Sequence, residues 1–296
     1  QGLVDSGNFS EKIKKIKDPF LGYLRQLNIN PNWVQLKELP KKPKKPMSNK
    51  SKNTSVLFIS LKTLSTDDNT LDLHQRKICN IQSEKIKLPS KDQRFRIVHT
   101  VSRKEILLAL MQHGRITEFS DKNCHIQALI EHIEVRQNIV AWTEDLNWIW
   151  PNGDYAYWNP QFWDSGTPLK KELVVTAFAD KFINQDKYSF GCYAAARSVY
   201  VQGILDYYSR VKKNPKKLNQ VIEALYSRNQ DPLVGVEPGN MWDWEGDFEV
   251  TEKDRPGKLL DLVNHVSGKN FIPGDWSYFL NTDPVTYQKT GYEGSN

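Results

Sequence analysis

The chain has 296 residues, of which 39% are hydrophobic and 26% charged, a composition typical of a globular chain with a sizeable buried core. Its longest apolar runs fall far short of the roughly 20 residues needed to cross a bilayer, so the sequence excludes a membrane-spanning helix. The net charge of +6 equals the six lysines of the acid-free segment 41–52, so the rest of the chain is neutral and predicts no nucleic-acid-binding face.

Residues 1–39 are predicted to form a small helical extension. Ser10 is suited to cap a helix that runs through Lys17, and Pro19 is expected to end this helix before a second segment at residues 20–27. Residues 40–55 follow, with many lysines and prolines and no apolar periodicity. They are predicted to be a linker or an exposed loop, and contact of 41–52 with an anionic surface is the functional alternative.

Residues 56–120 are predicted to form an α/β subdomain. Its predicted elements are two strands, residues 55–61 and 95–101, and a helix that Ser102 and Glu105 cap and that Gly114 ends.

Apolar residues recur at nearly helical spacing from Asn123 to about Leu146, which predicts one long helix packed on a core. His125 and His132 lie on this segment seven residues apart, a spacing unlike that of the helical histidine pairs that bind zinc. They are predicted to be structural, and no metal site is expected.

Five of the nine tryptophans lie between residues 142 and 163, among Pro, Asn, Gly and Asp. This composition predicts a rigid aromatic loop, not a helix. Such a loop suits either packing on a core or the wall of a binding cleft. The tryptophans considered for substrate binding are Trp148, Trp150 and Trp158, together with Trp276 further along the chain.

Cys192 is the strongest candidate for chemistry, because it falls in the first turn of a predicted helix that runs to about Val211. Unpaired backbone N–H groups and the positive end of the helix dipole stabilise a thiolate there, as a nucleophilic cysteine requires. A buried structural cysteine is the alternative. Downstream, residues 273–275 predict a turn and residues 276–280 a strand, and a nucleophile helix followed by an antiparallel sheet is typical of papain-like thiol enzymes.

Three blocks resemble the sporulation-type protein-glutamine gamma-glutamyltransferases of bacteria: residues 135–146, 188–206 and 271–296. The resemblance covers residues 125–296. It implies an α+β fold with a papain-like (NlpC/P60-type) core, in which the nucleophile helix packs on an antiparallel sheet, within a catalytic domain at 121–296. It also implies that Cys192 is the nucleophile, that no metal or organic cofactor is used, and that the substrates are proteins with Gln and Lys side chains.

The sequence departs from this family at two positions. Gly191 and Ser295 stand where the family typically has glutamates, so Glu293 and His265 are considered as the partners of the nucleophile. The family also continues past the position of Asn296 into a further strand, so the domain is expected to lack its C-terminal strand.

Two alternatives stay open at this stage. The Pro-Gly-Asp turn at 273–275 also resembles that of NlpC/P60 cell-wall peptidases, and the missing glutamates suit a catalytically silent binding module. The start at Gln1 fits a cleaved secretory signal, which predicts a periplasmic or secreted location, although a cytoplasmic one is not excluded. Pairing of Cys79 with Cys124 would require an oxidising compartment.

Overall fold

The computed structural model describes residues 9–40, 55–61, 82–91, 94–112, 118–120, 126–147, 149, 157–164, 167–226 and 271–276. Within these ranges the protein is a mixture of α-helices and small antiparallel sheets, as the α+β prediction requires. The α-helices are α1 (Glu11–Gln26), α2 (Arg103–Gln112), α3 (Ile126–Thr143), α4 (Val174–Ile183), α5 (Cys192–Asp206) and α6 (Pro215–Tyr226). The strands are β1 (Val34–Pro40), β2 (Ser55–Leu61), β3 (Glu84–Pro89), β4 (Phe95–Thr100), β5 (Glu118–Ser120), β6 (Trp163–Asp164) and β7 (Thr167–Pro168).

Helix α1 is continuous through Pro19, so the predicted break at this position is wrong. Pro19 is exposed and so is Lys15, whose carbonyl loses its helical partner because proline has no N–H. The opposite face of the helix carries a buried apolar stripe, including Ile13, Phe20 and Leu24, whose burial outweighs the lost bond.

The N-cap of α1 also differs from the prediction. Ser10 occupies the cap position, but its side chain makes no capping bond to the helix. Instead the Ser10 hydroxyl donates to Glu38 on β1 at 2.8 Å, and the Ser10 N–H donates to the other oxygen of the same carboxylate at 2.8 Å. The start of α1 is thus tied to a strand.

Strands β1, β2 and β5 form a three-stranded antiparallel sheet with β2 in the centre. β1 pairs with β2 along its whole length, from Val34 opposite Leu61 to Pro40 opposite Ser55. Leu57 and Ile59 are buried on the face of β2 that meets α1 and α2, in one apolar core with these helices.

The predicted cap of α2 is confirmed. The Ser102 hydroxyl accepts the Glu105 N–H at 3.1 Å, and the Ser102 carbonyl accepts the Ile106 N–H at 3.1 Å. Helix α2 ends at Gln112, and the predicted stop at Gly114 lies outside the described residues.

Strands β3 and β4 form a separate antiparallel hairpin, with Glu84 opposite Thr100 and Pro89 opposite Phe95. The inner face, which includes Leu88 and Val98, packs on α3 and joins a second apolar core. That core also contains the buried faces of α4 and α5.

Helices α3 and α5 cross closely where α5 has a glycine. A Cβ at Gly203 would lie 2.5 Å from Ile139 Cγ1, so only glycine permits this approach. At the same crossing the buried Asp206 carboxylate accepts Asn138 Nδ2 at 3.0 Å and Trp142 Nε1 at 3.0 Å. Trp142 lies within α3, as the predicted helix from Asn123 to about Leu146 requires, so the tryptophan-rich loop begins only after it.

Helix α3 ends at Thr143, earlier than the predicted end near Leu146. None of the described helices is long and apolar enough to span a membrane.

Candidate functional site

Helix α5 begins at Cys192, as the sequence predicted, with Gly191 as its N-cap. The first helical bond runs from the Ala195 N–H to the Gly191 carbonyl at 3.0 Å. The N–H groups of residues 192–194 therefore have no acceptor within the helix, and glycine has no side chain with which to cap them. This end of α5 can stabilise negative charge. For Cys192 the structure describes the backbone alone.

The segment that leads into Cys192 is held by the tryptophan-rich segment. Tyr157 and Ser189 form an isolated antiparallel bridge, with N–H to carbonyl distances of 2.7 and 2.9 Å. The Phe190 N–H donates to the Ile149 carbonyl at 3.3 Å. Two separate parts of the tryptophan-rich segment thus lie against the residues just before the candidate nucleophile.

Trp158 belongs to an aromatic cluster that includes Phe190, Trp163 and Tyr188. Its ring stacks on the buried Phe190 ring, with centroids 5.4 Å apart and an interplanar angle of 22°. It also contacts Trp163 at 5.3 Å and Tyr188 edge-on at 6.5 Å. These contacts anchor Phe190, two residues before Cys192, so the packing interpretation of this tryptophan is supported for Trp158.

A buried lysine lies within this cluster. Lys181 on α4 is fully buried, and its Nζ donates to Ser198 Oγ on α5 at 3.0 Å. The amine lies 3.7 Å from the ring centroid of Trp163 and 4.4 Å from that of Trp158. Burial lowers the pKa of Lys181 well below its ordinary range, and the nearby Arg197 lowers it further. Sequence reasoning missed this residue, because the groups around it come from distant parts of the chain.

Asp180, next to Lys181 on α4, organises the residues that flank the cluster. Its carboxylate accepts Asn159 Nδ2 at 2.7 Å, Tyr188 Oη at 2.5 Å and Asn184 Nδ2 at 2.6 Å. Burial and the bond to Asp180 raise the pKa of Tyr188 far above its ordinary range, so the phenol stays a donor. Tyr188 thereby fixes the start of the segment that ends at Cys192.

Residues 271–276 form a turn that docks on α3 and α5. Arg136 on α3 donates to Asp275 Oδ1 at 2.8 Å and to the Pro273 carbonyl at 3.2 Å, in an ion pair whose side chains are each 13% exposed. Gly274 has a φ of 84°, and a Cβ there would lie 2.9 Å from Arg136 Cβ. The predicted Pro-Gly-Asp turn is therefore confirmed. Its glycine is required both by the positive φ and by the close approach to Arg136.

Trp276 carries the chain from this turn to α5. Its ring lies 6.2 Å from that of Tyr200, which is two helical turns from Cys192. Trp276 is not in a strand, although the sequence predicted that a strand begins there. The remainder of the predicted strand lies outside the described residues.

The family model of the protein-glutamine gamma-glutamyltransferases matches residues 79–296, which is 218 of the 296 residues. The chain belongs to this family. The match begins well before residue 125, where the resemblance of the motifs starts, and so takes in the β3–β4 hairpin and α2. No curated protein and no solved structure gives a significant match.

Membership makes the protein a transglutaminase-type acyltransferase, a class that acts on protein substrates. The cell-wall peptidase and the silent binding module are not favoured by this match.

The structure brings some of the predicted residues of this transglutaminase together. The start of α5 at Cys192 lies beside Phe190, on which Trp158 stacks, and Trp276 contacts the same helix further along. Trp148, Trp150, His265 and Glu293 lie outside the described residues, as does His125.

His132 of the transglutaminase is described, and its Nε2 accepts Arg136 Nε at 2.9 Å. Its described role is therefore to position Arg136, which fits the structural interpretation of the sequence. Among the residues that the structure describes, no group of three or more His, Cys, Asp or Glu side chains is arranged to hold a metal ion.

Proposed function

We propose that the protein transfers the acyl group of protein glutamine side chains through a thioester on Cys192. The thiolate attacks the carboxamide carbon, the C–N bond breaks, and the nitrogen takes up a proton and leaves as ammonia. A lysine amine then attacks the thioester and gives an isopeptide cross-link, or water attacks it and gives glutamate. Either attack returns the thiol.

The position of Cys192 as the first residue of α5 carries this proposal. The resemblance of the motifs implies that Cys192 is the nucleophile, and the helix start supplies the electrostatics that the chemistry needs. The N–H groups of residues 192–194 have no acceptor within α5, and Gly191 offers no side-chain cap, so we propose that these groups donate to a substrate oxygen. Each donor directed at the oxyanion contributes about 3 kcal/mol in related acyl transfers.

The proton acceptor is proposed to lie in the C-terminal part of the chain, on one side or the other of the Pro-Gly-Asp turn. Asp275 is unsuited to this role, because its carboxylate is held by Arg136 on one oxygen and by the Ile272 N–H on the other at 3.2 Å. Its role is to position the turn. Glu293 and His265 are the candidate partners of Cys192, and the papain-like arrangement places the partner on a strand beside the nucleophile helix.

The substrate is proposed to approach along the tryptophan-rich segment. Trp148 and Trp150 are the sequence neighbours of Ile149, whose carbonyl accepts the Phe190 N–H, and are proposed on this ground as substrate contacts. Flat indole faces suit an extended polypeptide. Trp158 is assigned to packing. Trp276, whose ring lies 6.2 Å from that of Tyr200 on α5, is proposed as a further substrate contact.

The proposal is tested by ammonia release from a glutamine peptide. We expect release by the wild-type protein, none above background by Cys192→Ala, and unchanged release by Cys124→Ala as the matched cysteine control. Mass spectrometry with and without a lysine peptide separates cross-linking from deamidation. Release that is equal in the wild-type protein and Cys192→Ala would refute the thioester, and soluble fragments from cell-wall material without ammonia would indicate a peptidase.

The partners of the thiol are tested separately with Glu293→Gln and His265→Gln. The true proton acceptor is expected to shift the acidic limb of the pH profile of kcat/KM, because that limb reports the ionisation of the base in the free enzyme. A variant that lowers activity by the same factor at every pH has lost a structural contact instead.

A further inference from the structure

The β3–β4 hairpin presents a second surface, on the side away from the core. The strand register places three cross-strand pairs on the outer side, and we call these six residues the hairpin face: Lys85, Lys87, Pro89, Phe95, Ile97 and His99. Phe95 is 61% exposed and Ile97 is 60% exposed. They lie two residues apart on one strand and therefore side by side. Adjacent exposed apolar side chains of this size are typical of an interaction surface, whereas a single one is not.

The hairpin face is also positively charged. Lys85 and Lys87 are exposed opposite His99 and Ile97, and neither lysine forms a salt bridge to a carboxylate among the residues that the structure describes. The inner side of the same hairpin is different, because Glu84 is paired with Arg103 at 3.1 Å. The outer side thus combines an apolar centre with cations that have no acidic partner in the described part of the chain.

The hairpin is linked to the segment that precedes Cys192 by polar contacts. At its tip, Lys91 lies 3.9 Å from Asp186, which is six residues before Cys192. Arg96 on β4 forms an ion pair with the buried carboxylate of Asp145. The Asp145 carbonyl accepts Gln185 Nε2 at 2.9 Å.

The same link continues towards the start of α5. Gln185 Oε1 accepts the Asn147 N–H at 2.5 Å. Two residues further along the chain, the Ile149 carbonyl accepts the Phe190 N–H. Ile149 is 45% exposed and Tyr157, bridged to Ser189, is 56% exposed. Large exposed apolar side chains therefore occur both on the hairpin face and beside the start of α5, on elements that are bonded to one another.

We propose that the hairpin face is a docking site for protein substrates, and that it binds a segment with alternating acidic and apolar side chains outside the reactive glutamine. This inference rests on the proposed function. Phe95 and Ile97 supply the apolar contact, and Lys85 and Lys87 pair with the carboxylates. A substrate bound there presents its glutamine to Cys192 as part of the same molecule, which raises the local concentration of the glutamine.

The charge of the face decides the chemistry of the partner. A basic segment would meet Lys85 and Lys87 and be repelled, and a purely apolar segment would leave these two ammonium groups without a counter-charge. Two exposed ion pairs and a partly buried aromatic contact together favour the matching segment by about threefold to tenfold in KM.

The test compares glutamine peptides that share one reactive sequence. One peptide is short, one is joined through a Gly/Ser spacer to a segment of alternating Glu and Val, and one is joined to a segment of alternating Lys and Val. The wild-type protein is expected to show a KM about threefold to tenfold lower for the Glu/Val peptide than for the short peptide, with kcat unchanged.

Charge reversal and apolar truncation then test the face itself. We expect Lys85→Glu/Lys87→Glu to abolish the preference for the Glu/Val peptide and to favour the Lys/Val peptide. Phe95→Thr/Ile97→Thr is expected to raise the KM for the Glu/Val peptide and for the Lys/Val peptide alike. Threonine keeps the strand but removes the apolar surface that both peptides would contact. Both variants should process the short peptide like the wild-type protein. Lys216→Glu/Lys217→Glu is the control, because it makes the same charge change at exposed positions outside the hairpin, on helix α6.

Two outcomes overturn the proposal. The first is an unchanged KM for the Glu/Val peptide in both hairpin variants. The second is loss of binding to phosphatidylserine vesicles in these variants without a change in KM, which would assign the face to a lipid surface. Fluorescence anisotropy of the labelled Glu/Val segment, measured on Cys192→Ala, separates docking from catalysis. If the segment binds but the wild-type protein releases no ammonia, the proposed function is rejected and the docking site stands. If the wild-type protein releases ammonia but the segment does not bind, only the docking site is rejected.

Discussion

Replacement of Lys181 by methionine tests whether the buried amine is neutral in the folded protein. Lys181 is fully buried, its Nζ has one described hydrogen bond, to Ser198 at 3.0 Å, and Arg197 is close enough to disfavour a second positive charge. The aromatic ring of Trp163 at 3.7 Å favours the ammonium form, whereas burial disfavours it and lowers the pKa of the amine. We therefore expect the amine to lose its proton at a lower pH in the folded protein than in the unfolded chain.

The magnitude follows from the linkage between protonation and folding. The folded pKa of Lys181 is lowered, whereas in the unfolded chain it is about 10.4, so between the two values the unfolded state binds one proton more. The free energy of unfolding then rises with pH by about 1.4 kcal/mol per unit, and this contribution is complete only above the unfolded pKa. Methionine does not titrate. The stability of the wild-type protein relative to Lys181→Met should thus rise as the pH approaches about 10.4 from below, by up to about 1.4 kcal/mol per pH unit.

Urea denaturation of both proteins at several pH values measures this difference. Lys187→Met, which replaces an exposed lysine in the same part of the chain, is the control and should show no such pH dependence. At neutral pH we expect Lys181→Met to be at least as stable as the wild-type protein, since it removes a polar group that is costly to bury. A stability difference that stays constant with pH, with the wild-type protein the more stable, would refute the neutral amine and establish a caged ammonium ion.

Two further substitutions test the packing of α3, α5 and the Pro-Gly-Asp turn. Gly203→Ala should lower the free energy of unfolding by about 1–3 kcal/mol in thermal or urea denaturation, because the new methyl group would lie 2.7 Å from Ile139 Cα. Gly22→Ala is the control, at an exposed position of α1 with no atom within 4 Å of the new methyl group, and should raise the free energy of unfolding by about 0.5–1 kcal/mol. Equal effects at the two glycines would contradict the close crossing of α3 and α5. Asp275→Asn should destabilise the protein by about 1–3 kcal/mol and lower ammonia release, because Arg136 loses its ionic partner and the turn loses its anchor. Full activity at wild-type stability would show that the turn does not position the segment after residue 276.

Elements governed by local rules could be predicted from the sequence. The cap of α2 needs only Ser102 three residues before Glu105, and the start of α5 at Cys192 needs only a glycine followed by a run of good helix formers. The strands β2 and β4 follow from short runs of β-branched and aromatic residues. The family resemblance also rests on sequence, since its motifs are linear.

The predictions that failed did so where distant residues outweigh local preference. Pro19 ends an isolated helix, but α1 continues because its apolar face is buried against the sheet. Ser10 is a good cap by residue type, but Glu38 of β1 takes its hydroxyl. Helix α3 was predicted to reach about Leu146 but ends at Thr143, and beyond it the buried Asp145 carboxylate pairs with Arg96 of β4.

The sequence by itself determined that a cysteine opens a helix, that a Pro-Gly-Asp turn follows, and that the chain is of the transglutaminase type. Only the tertiary structure decided what surrounds them. The turn is anchored by Arg136, 139 residues away from Asp275, and Lys181 is enclosed by rings from separate segments. The physical reason is that helix caps and turns depend on neighbours a few residues apart, whereas burial and ion pairing depend on which surfaces meet when the chain folds.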